Sequence, residues 1–215
     1  EQEKAVFSRV RSILKASGGE YAQCGLFPFR KRSEHIFRVF RWAERIVEPG
    51  MRLDESVLRV AALVHDVGYD TGRDRTPHAV KSAALARQFL PELGYEADFV
   101  EQVAEVVSLH SDKERLKNPE TPMALVLLME ADLLDESGAM SVVWDCLMEG
   151  AKPKQSFLEA YRHIQGKTVR HLSEDILVTP KAKRYWMEKR NLVDAFVRHM
   201  EADMALNGDW EPDSL

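Results

Sequence analysis

The stretch Ala61-Ala62-Leu63-Val64-His65-Asp66-Val67-Gly68-Tyr69 decides how the chain is read. An apolar run, too continuous for a surface helix, ends abruptly in His-Asp, and a glycine two residues later stops it. Burying an imidazole beside a carboxylate costs free energy unless something pairs with both. A divalent metal accounts for the two residues together, and it requires further ligands from the flanking sequence.

Upstream, Asp54 caps the helix that carries Val57, Leu58, Val60 and Ala61 into His65-Asp66. Apolar on nearly all sides, it is expected to be the central buried helix. Before it, Ser33 caps a helix running to about Val47, with Ile36, Phe40, Ala43 and Val47 as its stripe and His35 at the border. Gly25–Arg32, with Pro28, reads as a loop whose cluster Arg30-Lys31-Arg32 is expected to be a solvated charge run. A first helix spans about Glu3–Ser17, with Val6, Val10, Ile13 and Leu14 on one face.

Downstream of a polar loop from Gly68 to Thr76, Thr76-Pro77 is a cap followed by proline at the first helical position. His78 then opens a helix to Leu90. The next, from about Ala97, carries Phe99, Val103 and Val106, and His110 continues that line. Thr121-Pro122 repeats the cap-plus-proline signal before Leu125, Leu128, Met129 and Asp132. Gly138 starts a shorter helix with Val142, Val143 and Leu147, closed by Gly150-Ala-Lys-Pro153. Two more cover about residues 156–170 and 180–206, and the last nine residues are expected to fray. Alternating strand patterns are nearly absent. The expectation is one all-α domain over residues 1–215 with eight to nine helices, its core at about 30–140 and C-terminal helices at about 153–206 packed on it.

At 215 residues, 45% hydrophobic and 30% charged, the chain has an ordinary globular composition. A net charge of −5 argues against a general nucleic-acid binder. Cys24 and Cys146 are far apart and lack metal-type spacing, which points to a reducing, cytoplasmic setting. No apolar run reaches membrane-spanning length and no signal peptide is read.

Five helices thus offer metal-type ligands at or near core-facing positions: His35, His65-Asp66, His78, His110 and Asp132. Adjacent helical residues point about 100° apart, so His65 and Asp66 reach one pocket without competing. Asp66 has two oxygens and can bridge two ions. His35, His65 and Asp132 then serve one ion, and His78 with His110 the other. Mixed imidazole and carboxylate donors suit Fe, Mn, Zn or Ni better than Mg or Ca.

The order H…HD…H…H…D resembles the HD-domain superfamily of metal-dependent phosphohydrolases. The matching residues are His35 in Ser-Glu-His-Ile-Phe-Arg-Val, His65-Asp66 in Leu-Val-His-Asp-Val-Gly, His78 in His-Ala-Val-Lys-Ser-Ala, His110, and Asp132 in Glu-Ala-Asp-Leu-Leu-Asp. The similarity covers about residues 30–140. Ala182, Arg190 and Phe196 look like the tail of the small single-domain bacterial HD proteins. The resemblance implies an HD-type helical bundle, and makes His78 and His110 second-metal ligands, as in the dinuclear branch. Tyr69 stands where HD-GYP proteins have lysine, which sets the chain apart from cyclic-di-GMP phosphodiesterases. It also stands where stringent-response hydrolases have glutamate.

The expected activity is hydrolysis of a phosphate ester or anhydride in a small phosphorylated metabolite or nucleotide, through a water bridging the metals. Asp66 is the candidate catalytic residue. Arg38, Tyr69 and Lys113 are candidates to face the phosphate. Neither a nucleic-acid duplex nor a membrane is expected as partner, and a homodimer is left open. Two competing readings are a dinuclear-iron oxygenase with the same six-ligand order, and a nucleotide-binding module with a structural metal. His163, His171 and His199 fall outside the pattern and are read as surface or structural residues.

Overall fold

The computed structural model describes residues 1–22, 30–72 and 76–206. Cys24, Pro28 and the rest of 23–29, residues 73–75 and the polar tail from 207 lie outside them, and the expectations placed there concern those residues alone. Among the described residues there are helices and no strands. They are α1 (Gln2–Ser17), α2 (Arg32–Ile46), α3 (Glu55–Val64), α4 (His78–Phe89), α5 (Ala97–Leu109), α6 (Met123–Asp135), α7 (Ala139–Gly150), α8 (Phe157–Ile164), α9 (Arg170–Ser173) and α10 (Pro180–Asp203). The π-helical turn Gln165–Val169 joins α8 to α9. Counted as one interrupted helix, they leave nine among the described residues, so the all-α expectation holds.

The chain divides into two compact units, Glu1–Asp135 with Leu177–Ala182, and Glu136–Ile176 with Lys183–Leu215. The boundaries at 135 and 182 fall at or inside helices, and the one at 176 lies in the short stretch between α9 and α10. In the first unit α3 packs against α1, α2, α5 and α6. Val57, Leu58 and the five residues Val60–Val64 are all buried, and each large aliphatic among them contributes roughly 1.5–3 kcal/mol of transfer free energy. Asp54 Oδ1 accepts from Ser56 N at 2.8 Å, as its cap role requires. The unit is closed by Glu130, wholly buried on α6. Its carboxylate accepts Thr179 N at 2.8 Å and Thr179 Oγ1 at 2.6 Å, at the start of α10.

The expectation at the start of α2 is corrected. Helix α2 begins at Arg32 with Lys31 in the cap position, and Ser33 is buried in the first turn, its Oγ donating to Glu20 instead of capping. In the second unit, α7 buries Val142, Asp145 and Glu149, while Val143 is exposed. Polar partners make this face tolerable: Thr168 Oγ1 donates to Asp145 at 2.5 Å and His163 Nδ1 lies 2.7 Å from Glu149. His171 packs edge-on against Trp186 and His199 is exposed.

Candidate metal centre

The six candidate ligands meet in the first unit. His35 sits on α2 and Asp132 on α6; His65 occupies the C-cap of α3, Asp66 the turn after it, His78 the first position of α4 and His110 the C-cap of α5. His35 Nε2 lies 3.4 Å from His65 Nε2, 3.4 Å from Asp66 Oδ2 and 3.3 Å from Asp132 Oδ1. On the other side, Asp66 Oδ1 lies 3.3 Å from His78 Nε2 and 3.5 Å from His110 Nε2, and those two nitrogens are 3.3 Å apart. A tetrahedral ion with nitrogen ligands at about 2.05 Å has ligand–ligand edges of about 3.3 Å. The observed spacings are edges of that size, so this donor set fits a divalent ion.

Two groups bring one donor atom per residue within 4.8 Å of one another: His35, His65 and Asp132, and His65, Asp66 and His110. The first is the trio expected for one ion. In the second, His65 stands beside Asp66 and His110, with His78 approaching from a more open edge, its side chain 27% exposed.

The ring tautomers are set from behind. His65 Nδ1 donates to Ala62 O at 2.9 Å and His110 Nδ1 to Val107 O at 2.7 Å, so both present Nε2 to the centre. His35 Nδ1 donates to Asp135 Oδ2 at 2.8 Å. Burial alone would strip the His35 proton. Hydrogen bonds to Asp132, Asp135 and Asp66 outweigh it and raise its pKa to about 10 in the metal-free protein. Burial dominates at His65 and lowers it to about 4. Asp66 and Asp132 are held well below the usual carboxylate range: burial opposes this, but the surrounding positive charges prevail.

The candidate substrate contacts are placed as follows. Arg38 turns its fork to Asp135, with Nε at 2.8 Å from Oδ1 and Nη2 at 3.0 Å from Oδ2. Lys113 Nζ donates to Asp132 Oδ2 at 2.7 Å and His110 O at 3.0 Å. The Tyr69 ring stacks on His78, centroids 4.3 Å apart, and burial pushes its hydroxyl up to about 12.

Three neighbours escaped the sequence reading. Asp135, three residues after Asp132, backs His35. Arg32, three before His35, donates from Nη1 to Asp66 Oδ2 at 2.8 Å. Ser111 Oγ lies 3.1 Å from His78 Nε2. The first two share a helix face with a ligand, the one signal that could have found them.

The sequence matches the HD domain family over residues 32–137, a span holding all six ligand candidates and Asp135. No curated protein matches it. Among solved structures, Bacillus subtilis YpgQ is similar with a TM-score of 0.67 at 22% identity, covering 94% of this chain and 95% of that one. YpgQ in complex with ADP gives 0.65 at 21%, covering 94% of each. An HD-superfamily hydrolase from Bacillus thuringiensis gives 0.68 at 19%, covering 95% and 97%. Identities this low establish likeness of fold. The ligand order on these helices and the family match agree, and residues 32–137 form an HD domain.

Proposed function

We propose that the protein is a metal-dependent phosphohydrolase that cleaves an ester or anhydride bond in a small phosphorylated metabolite or nucleotide. The observation that carries this is the placement of Asp66. One oxygen faces His35 and His65 and the other faces His78 and His110, so a single carboxylate joins two half-sites. His35, His65, Asp66, His78, His110 and Asp132 would hold one or two ions, and the mixed donor set favours Fe, Mn, Ni or Zn. Such ions, when bound, acidify a water and polarise a phosphoryl oxygen.

The chain's own residues supply the rest. Backbone carbonyls behind His65 and His110 and the carboxylate behind His35 aim the ring nitrogens. Arg32 and Lys113 fix Asp66 and Asp132. Tyr69 keeps its proton at neutral pH and can donate to an anionic ligand. The ADP complex of YpgQ supports a nucleotide among the ligands. An exposed Cys146 thiol accords with a reducing, cytoplasmic setting, and no helix among the described residues is long and apolar enough to cross a membrane.

The test is metal analysis of protein purified without chelator, beside His78→Ala and His110→Ala, with an anaerobic screen of phosphate esters and anhydrides. Two ions falling to one, with phosphate released without oxygen, is the expected result. Oxygen uptake coupled to substrate loss would replace hydrolysis by oxygenase chemistry. Metal-replete protein that binds ADP and turns nothing over would leave a binding module.

A further inference from the structure

Three carboxylates surround the centre, and each carries one basic partner: Asp66 has Arg32, Asp132 has Lys113, and Asp135 has Arg38. Once His35 is neutral, as ligation requires, these acids and bases cancel. Charge brought by an ion is therefore surplus, and an anion is its natural complement.

The three cations are not equivalent. The Arg38 and Lys113 side chains are 34% and 30% exposed, so water reaches their remaining donors. The Arg32 side chain is 6% exposed, and its Nε is buried with no hydrogen-bond partner among the described residues. A guanidinium carries five N–H donors, and stranding one away from water is costly unless an acceptor arrives.

Arg32 is also the best held of the three. Its Cζ lies 3.8 Å from the centroid of the Tyr69 ring, whose other neighbour is His78. The Tyr69 backbone is clamped in turn: Ser17 Oγ donates to its carbonyl at 3.2 Å. Gly19 passes so close that a Cβ there would lie 2.0 Å from that oxygen. Arg30, two residues before Arg32, feels the charge of Arg32 and those of Asp135 and Asp132. A planar fork on a fixed aromatic platform beside the shared carboxylate is suited to phosphoryl oxygens.

We propose that Arg32, beyond fixing Asp66, binds an anionic phosphoryl oxygen of the substrate at the metal centre, with Tyr69 as its platform. The identity of that anion rests on the phosphohydrolase reading above.

The experiment measures two affinities by calorimetry on folded wild type, Arg32→Gln and Arg32→Lys: Mn2+ for metal-free protein, and inorganic pyrophosphate for Mn2+-loaded protein. Arg32→Gln should weaken pyrophosphate at least tenfold and by a clearly larger factor than Mn2+, because Gln keeps a donor for Asp66 while the positive charge is gone. Arg32→Lys should fall between. Pyrophosphate binding that is absent in wild type or unchanged in Arg32→Gln overturns the proposal. So does a parallel loss of both affinities, which is what a mere prop for Asp66 would give. If Arg32→Gln does not fold, Arg32→Lys decides: weaker pyrophosphate with unchanged Mn2+ supports the role, and unchanged pyrophosphate refutes it. Arg32-dependent pyrophosphate binding without any hydrolysis would sink the phosphohydrolase reading and leave this one standing.

Discussion

Loading the half-site of His35, His65 and Asp132 should expel one proton, and that proton should come from His35. In the metal-free protein its three carboxylate neighbours hold His35 charged up to about 10, whereas His65 is neutral above about 4 and Asp66 and Asp132 are already ionised. Only the neutral imidazole can ligate. A raised pKa means the ion must displace a tightly held proton, so affinity is weakest at low pH. It should rise about tenfold per pH unit, roughly a hundredfold between pH 6 and 8. At pH 7 the competition costs about three powers of ten, from the gap between pH 7 and a pKa of about 10. The same proton has the opposite effect on the metal-free fold. Its stabilisation is complete below the ordinary pKa of 6.5 and is lost as pH climbs through about 10. Calorimetry of Mn2+ binding at pH 7 in two buffers of different ionisation enthalpy counts the released protons. Zero release, or an affinity flat between pH 6 and 8, would refute the charge arrangement described for this half-site.

Asp135→Asn keeps the shape but removes the charge behind His35 and Arg38; metal affinity measured by calorimetry should fall about 10- to 100-fold, with less proton released per ion. Gly68→Ala would place a Cβ 2.5 Å from both His78 O and Ser82 N. It should cost about 1–3 kcal/mol in urea unfolding and, by displacing His78, lower the metal count toward one. Glu130→Ala strands the buried donors of Thr179 and should cost about 3 kcal/mol or more, read by the same unfolding assay, while the metal count of the folded fraction stays unchanged.

The candidate ligand set could be picked out because its signals are local. An apolar helix ending in His-Asp, a cap-plus-proline before His78 and an apolar line ending at His110 each stand out within a dozen residues. What stayed hidden depends on which helices touch. Asp135 matters only because α6 packs on α2, which places it against a histidine one hundred positions away in sequence. Arg32 looked solvated inside Arg30-Lys31-Arg32. Ser33 has the side chain of a cap, but its hydroxyl donates to Glu20, and the helix starts early enough to turn Arg32 onto the face of His35. The inward face of α7 is hidden for a related reason. Asp145 and Glu149 are buried against His163 and Thr168, partners that composition cannot announce.

Where a histidine lies along its helix also explains why two ligand candidates of one half-site differ so much in proton affinity. The last four carbonyls of a helix have no intrahelical donor. His65 and His110 stand just past the ends of α3 and α5, so their ring N–H groups reach the carbonyls of Ala62 and Val107, three residues back, and Val107 O also accepts the His110 backbone N–H. One bond fixes the tautomer and satisfies a helix end. That backing is uncharged, so burial governs His65 and keeps it neutral above about 4. His35 lies inside α2, where the ladder already uses the nearby carbonyls. Its ring N–H must look outside the helix and finds Asp135. The carboxylate that orients His35 therefore also binds its proton more tightly, toward about 10. A ligand histidine in mid-helix needs an external acceptor. When that acceptor is charged, orientation comes with competition between proton and metal, and here Arg38 on Asp135 tempers it by sharing the carboxylate.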